Sequence, residues 1–250
     1  MIGLIYKDLC CLRKNIKIFI LVTLVVIVLS VLFIFSMQYG NIATFIRTEG
    51  ISEEEFFNLF QVAIWAILIL PIAAASMIQE CYKEDKRVNF SKCLNSLPVK
   101  PETIVGSRYL SGVAYLMLGL IGSVVASFFI SVATDEFSFG QLTAYCITFM
   151  AGLLVYEAFV MFVLYIADGK KADLIQCIPL IVLLFVAEYF FVVKTDTMTD
   201  EEFGAFTTTA MEKINSFMIE NCIWVLLAAL LLVGISYLGS VLVQKKRGIS

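Results

Sequence analysis

Residues 16–37 read Ile-Lys-Ile-Phe-Ile-Leu-Val-Thr-Leu-Val-Val-Ile-Val-Leu-Ser-Val-Leu-Phe-Ile-Phe-Ser-Met, and no charge follows Lys17. At 1.5 Å per residue, about 20 such residues in a helix cross the roughly 30 Å hydrocarbon core of a bilayer. Five more stretches of this kind follow, at 60–79, 109–133, 141–167, 174–193 and 221–243. Backbone polar groups in lipid must be satisfied within the segment, so long apolar runs read as helices. The pattern predicts an all-α membrane protein with six transmembrane helices.

The charges fall on alternate sides of these stretches. The chain has 18 Lys and Arg and 21 Asp and Glu. The first tail together with Lys17 at the head of the first stretch, the 80–108 loop, the 168–173 loop and the last tail hold 15 of the basic residues. The other three loops hold only Arg47, Lys194 and Lys213, against 12 acidic residues. Basic flanks stay in the cytoplasm, so both termini are expected there. The net charge of −3 conceals this polarity.

With 250 residues, 60% of them hydrophobic, the chain reads as a single transmembrane domain with no soluble domain of ordinary size. The motif G-x-x-x-x-G-K-[ST] does not occur, so nucleotide hydrolysis is not expected here. Histidine is absent, which removes zincin, Ser-His and Cys-His chemistry. The seven cysteines form no C-x-x-C, so neither a zinc site nor a disulfide framework is expected. They read as small packing residues. The first span is too long for the core of a signal peptide and reads as an uncleaved anchor.

Residues 1–16 place Ile5, Leu9, Leu12 and Ile16 at helical spacing, with Lys7, Asp8, Arg13 and Lys14 on other faces. This predicts an amphipathic helix at the cytoplasmic interface. Two S/T-x-x-E capping boxes, Ser52 with Glu55 and Thr199 with Glu202, predict short helices in the outer loops, the second within 194–220. Tyr39, Trp65, Tyr189 and Trp224 outside, and Tyr82, Tyr109 and Tyr165 inside, suit interfacial anchoring. Span 3 carries Gly119, Ser123, Ser127 and Ser131 at intervals of four, a face that lets another helix approach closely. Pro71 and Pro179 lie inside spans 2 and 5, where each kinks the helix or frees a carbonyl.

The 80–108 loop is the longest segment on the basic side. Phe90, Leu94 and Leu97 recur at helical spacing, with Asn89 and Lys92 among the polar positions between them. Pro98 stops that helix, and Pro101 serves as the first residue of the next, which runs into span 3. A short amphipathic helix joined rigidly to a span fits a groove on a partner protein, and it fits equally a resting place on lipid headgroups.

Ser96-Leu97-Pro98-Val99, Ile104-Val105 and Arg108-Tyr109-Leu110 resemble the cytoplasmic signature of ABC-2 type permeases, in which an SLPVSR…IV…KYL run follows span 2. Leu4-Ile5-Tyr6-Lys7-Asp8-Leu9 resembles that family's N-terminal LLxKDL stretch. Lys100-Pro101 stands in place of Ser-Arg, and Arg108 in place of Lys. The resemblance extends over the whole chain and is nearest in feel to small bacterial permeases of peptide, bacteriocin and phenol-soluble modulin exporters. It implies a type V exporter-like architecture. It also implies a non-catalytic, multi-pass subunit of a bacterial cytoplasmic membrane that exports a peptide or amphipathic substrate. A second permease copy or a homologous permease completes the path, and a separate cytoplasmic ATPase binds ATP and Mg. No cofactor belongs to this chain and no nucleic acid is among its partners. Asn89, Phe90, Lys92, Leu94, Leu97 and Pro98 then form the coupling interface with the ATPase.

Glu157 and Glu188 lie inside spans 4 and 5. Charges there are costly, so such residues face a cavity or a partner. They read either as the polar lining of a translocation path or a proton site, or as structural carboxyls hydrogen-bonded to neighbours such as Tyr156, Tyr165 or Ser127. A stand-alone proton-coupled transporter is the alternative to an ATP-driven permease.

Overall fold

The computed structural model describes residues 2–39, 65–77, 80–81, 85, 88, 90, 99–133, 138–167, 170–195, 209, 213–214 and 216–248. Seven helices carry the description: α1 (Ile2–Cys11), α2 (Arg13–Tyr39), α3 (Trp65–Met77), α4 (Pro101–Ala133), α5 (Phe139–Ile166), α6 (Lys170–Thr195) and α7 (Cys222–Gly248). Four of them, α2, α4, α5 and α7, are long and apolar enough to cross a membrane. At the positions of the expected second and fifth spans the described residues hold shorter apolar helical runs, Trp65–Met77 and Leu174–Val186. Residues 60–64 and 78–79, which would complete the second, lie outside the described residues, as do both outer-loop capping boxes.

Two helix starts show how local sequence sets the boundaries. Pro101 opens α4, where its missing N–H costs nothing, and the amides of Thr103 and Ile104 bond back to the Lys100 carbonyl at 2.9 and 3.3 Å. Ser138 and Gln141 form a reciprocal capping box at the head of α5. The Ser138 amide donates to Gln141 Oε1 at 3.1 Å, and the Gln141 amide donates to Ser138 Oγ at 3.3 Å. α6 continues through Pro179.

The chain divides into two compact units, Met1–Leu153 and Leu154–Ser250. In the first, α4 is the central helix. Its expected small-residue face meets α3 at the point where Pro71 interrupts the backbone ladder. A proline at 71 leaves the carbonyl of residue 67 without its helical donor. The Ser123 hydroxyl supplies one, donating to the Ile67 carbonyl at 3.1 Å. Gly119 sits directly on this site: a Cβ there would lie 2.8 Å from Pro71 Cα and 2.8 Å from Ala74 Cβ. Gly122 faces Thr23 of α2 in the same way, with a Cβ 3.3 Å from the Thr23 methyl. Ser127 donates to the Ser123 carbonyl at 2.8 Å and lies 3.5 Å from Cys146 Sγ of α5. Ser131 bonds within its own helix, to the Phe128 carbonyl. The stripe therefore packs against helices of the same chain. Ile34, Ile67, Leu70, Ala126, Ile130, Leu142 and Cys146 close a buried cluster around it. Between helices in lipid such close fitting replaces the hydrophobic drive that operates in water.

Gly119→Ala is expected to destabilise the protein by about 1–3 kcal/mol, because the clash is with backbone and cannot rotate away. Gly152, where an added methyl would meet nothing within 4 Å, is the control. Gly152→Ala is expected to be neutral or to gain up to ~1 kcal/mol from helix propensity. Thermal unfolding of the two purified variants separates these outcomes.

In the second unit, α7 packs on the end of α5 through small residues. Ser236 donates to the Ala158 carbonyl at 2.6 Å, and Gly239 lies against the Phe162 ring. The outward faces of α2, α6 and α7 are apolar and exposed, as helices in contact with lipid require.

Candidate functional site

The expected amphipathic helix takes a different orientation from the one its periodicity implies. It ends at Cys11, and Leu12 separates it from α2. Leu12 is buried as expected, but Leu9 is 36% exposed and Asp8 only 2%. α1 therefore turns a carboxylate inward, toward α4. Tyr109, expected as an interfacial anchor, is buried as well.

The inward turn is explained by what surrounds Asp8. Arg108, Ser111 and Tyr115 stand at i, i+3 and i+7 of α4, on one face of that helix. Ser111 donates to Asp8 Oδ2 at 3.0 Å, and the Tyr115 hydroxyl donates to the Asp8 backbone carbonyl at 3.1 Å. Lys7 Nζ lies 2.9 Å from Asp8 Oδ1, and Arg108 Nη1 lies 3.8 Å from the same oxygen. Oδ1 is thus held by charge at ion-pair distance and has no hydrogen bond of good geometry. The second anion, Asp85, comes from the segment that follows α3. Lys7 donates to both of its oxygens at 2.8 Å, and Arg108 pairs with its Oδ2. Two anions and two cations from three chain segments form a charge-balanced lock. Balance of this kind makes burial tolerable, since an unpaired ion in such a place costs several kcal/mol.

Lys7 also lies over the Phe90 ring, 4.1 Å from its centroid. Phe90 is half-buried, and it is the only one of the six expected coupling residues that the structure describes. Asn89, Lys92, Leu94, Leu97 and Pro98 lie outside the described residues. Two points of the 80–108 segment, Asp85 and Phe90, are therefore tied to α1, and Asp85 is tied to α4 as well.

Donor atoms of Asp8, Cys81 and Asp85 lie within 4.8 Å of one another, a grouping that could hold a metal ion. The electrostatics disfavour it, because Lys7 and Arg108 already neutralise both carboxylates. Burial, reinforced by the charge of Asp8 and partly offset by Arg108 and Lys7, pushes the Cys81 thiol up to about 11 from its ordinary 9.0. A thiol of this kind is neutral at pH 7 and does not react as a thiolate. Iodoacetamide at pH 8 is accordingly expected to modify exposed Cys10 and Cys11 well ahead of Cys81 in the folded protein, as read by peptide mass spectrometry. Cys81 labelling should rise only as pH approaches about 11. Because the folded value is the higher one, the stability gained from burying the neutral thiol is complete below 9.0 and is lost between there and about 11.

The two intramembrane carboxylates differ. Glu157 of α5 is 4% exposed, and neither of its oxygens has a hydrogen-bond partner among the described residues. Ser127, one of its expected partners, spends its hydroxyl on Ser123 and Cys146. Glu188 of α6 is exposed. Of the two, only Glu157 is a buried carboxyl.

The residues that sequence reasoning missed are Asp8, Asp85, Ser111 and Tyr115. Their signal was the i, i+3, i+7 spacing of Arg108, Ser111 and Tyr115 at the head of a helix. Two of the stretches carrying the family resemblance, 4–9 and 108–110, meet at the Asp8–Arg108 pair. A family model described as ABC-2 family transporter protein matches residues 56–244. No curated protein and no solved structure matches the chain.

Proposed function

Because the chain belongs to the ABC-2 family of transporter proteins, we propose that it is the permease of an ATP-driven exporter whose nucleotide-hydrolysing subunit is a separate cytoplasmic protein. As a member of that family it is a multi-pass membrane component of an ABC transporter. The finer reading has six spans with both termini inside. It is supported by the asymmetry of basic residues and by apolar helical segments at all six expected positions. Two permeases, identical or homologous, would enclose the path for a peptide or amphipathic cargo, and ATP and Mg would sit on the partner.

The observation that carries this reading is the lock between α1, the segment after α3, and α4. A coupling loop must pass force to a span, and flexible linkage would dissipate it. Here the segment beginning at Glu80 is held through Asp85 to Arg108, seven residues into α4. Displacement of the loop by an ATPase would load α4 directly.

The test is co-purification of the ATPase with variants at matched expression. Leu94→Asp, at an expected apolar anchor, should lose more than tenfold of the binding, in keeping with the ~2 kcal/mol or more typical of such anchors. Lys92→Ala should lose little, because rim charges are screened. Phe90→Asp is the poorer probe, since a carboxylate beneath Lys7 would compete with Asp85 for that cation. Equal ATPase capture by Leu94→Asp and the parent would remove the coupling assignment.

Glu157 favours a second reading, transport driven by protons without an ATPase. Cargo uptake by vesicles that hold only this permease and a pH gradient would support it, and uptake that depends on added ATPase would reject it.

A further inference from the structure

The inner ends of α2 and α3 leave a groove of about 310 Å³ between them, lined by Asn15, Ile18, Phe19, Val22, Ala73, Ser76, Met77 and Glu80. Ile18, Phe19, Val22, Ala73 and Met77 form the apolar part of its wall, beside Ser76. Its mouth is polar, where Asn15 Nδ2 donates to Glu80 Oε2 at 2.8 Å. The mouth lies beside the basic start of α2, where Arg13, Lys14 and Lys17 are exposed. We propose that this groove is a binding site for a membrane phospholipid with an amine-bearing headgroup, of the phosphatidylethanolamine class; the assignment to the inner leaflet rests on the orientation proposed above.

The size of the groove suits a slender occupant better than a helix. An α-helix with its side chains is about 10–12 Å across, whereas the volume stands at the low end of the ~300–1,000 Å³ of small-ligand sites. That is room for one acyl chain. Water gains no hydrogen bonds along Ile18, Phe19, Val22 and Met77, so an apolar chain is the favoured filling. The chemistry of the mouth then selects the headgroup. Asn15 engages one oxygen of Glu80, and a carboxylate has acceptor capacity for further donors. An ethanolamine ammonium donates three hydrogens and carries the matching charge. A choline headgroup has the charge without a donor hydrogen, and a glycerol headgroup has hydroxyls without the charge. In this proposal the exposed basic residues at the start of α2, Arg13, Lys14 and Lys17, meet the phosphate. The carboxylate and these cations together match a zwitterionic headgroup, where a purely basic rim would match an anionic one.

The test is native mass spectrometry of the delipidated full-length permease titrated with palmitoyl-oleoyl phosphatidylethanolamine, phosphatidylcholine or phosphatidylglycerol. The ethanolamine lipid should be retained at least fivefold better than the choline lipid. Glu80→Gln preserves an acceptor for Asn15 and removes only the charge, so it should bring the two within twofold. Ala73→Phe fills the groove and should lower retention of both at least fivefold. Leu238→Trp, on the exposed face of α7, should retain them as the parent does. Equal binding of the two lipids by the parent overturns the proposal. So does a fivefold preference that survives Glu80→Gln, or parental retention by Ala73→Phe. Displacement of the bound lipid, one for one, by a cationic amphipathic peptide would give the groove to cargo and overturn the lipid assignment. These readouts need no ATPase, so they stand or fall apart from the coupling reading.

Discussion

Asp8→Ala is expected to destabilise the permease by about 3–5 kcal/mol, the range for breaking a buried ion pair from one side. The substitution removes one of the two anions in the lock. Lys7 and Arg108 are then left to share Asp85, and Ser111 loses its acceptor. Lys7 can turn part of its charge to water, but Arg108 is enclosed between Asp8, Asp85 and Cys81. Asp8→Asn keeps an oxygen for Ser111 and should cost less, about 1–3 kcal/mol. Combining Asp8→Leu with Lys7→Met restores charge balance around the surviving Arg108–Asp85 pair and should recover more than half of the loss. Thermal unfolding of the purified variants gives the stabilities, and ATPase stimulation of the stable ones gives the functional cost. An Asp8→Ala protein within about 0.5 kcal/mol of the parent would show that the lock contributes nothing, as is often the case for ordinary surface pairs.

The second large effect is expected at Glu157. A buried carboxyl without hydrogen bonds is a net cost to the folded state whether ionised or neutral. Glu157→Leu should therefore stabilise the protein, by about 1–3 kcal/mol, since the substitution removes a group that has no hydrogen-bond partner among the described residues. Glu157→Gln retains a buried polar head and should stay near the parent. Retaining so costly a residue is best explained by use, and both substitutions are expected to lower transport more than tenfold in reconstituted vesicles. The informative combination is a more stable protein that transports less. A destabilised Glu157→Leu would mean that the carboxyl has a bonded partner. Unchanged transport in both variants would remove Glu157 from the path.

Residues differed in how far the sequence exposed their roles. Hydropathy located all six apolar segments, because a run without charges has few fates other than lipid. Proline chemistry located the start of α4 at Pro101. Ser138-Phe-Gly-Gln141 had the capping-box pattern and was open to the same reading as Ser52 and Thr199. The face presented by α1 was a different matter. Periodicity assigns charged positions to water, and that rule fails where the charge is matched by groups distant in the chain. Asp8 and Ser111 are separated by 103 residues, and no local pattern links them. The small-residue stripe of α4 was visible, yet its partner was not, since naming it required knowing that residues 67 and 123 are neighbours. Glu157 was conspicuous as an acid within a span, but its lack of a hydrogen-bond partner among the described residues is a property of three dimensions.

The bond from Ser123 to the Ile67 carbonyl also bears on how the chain is made. α3 leaves the ribosome first, carrying the open carbonyl created by Pro71. An unsatisfied carbonyl costs several kcal/mol in hydrocarbon. Its donor lies 56 residues further on, which at ~5–20 residues per second is a wait of roughly 3–11 s. During that interval α3, with an open carbonyl in its backbone, is a poor candidate for release into lipid by itself. It should linger at the insertion machinery until α4 arrives, and the two helices should enter the bilayer as a pair. Removing Ser123 would then act on the nascent chain as well as on the finished protein, by leaving α3 with nothing to wait for.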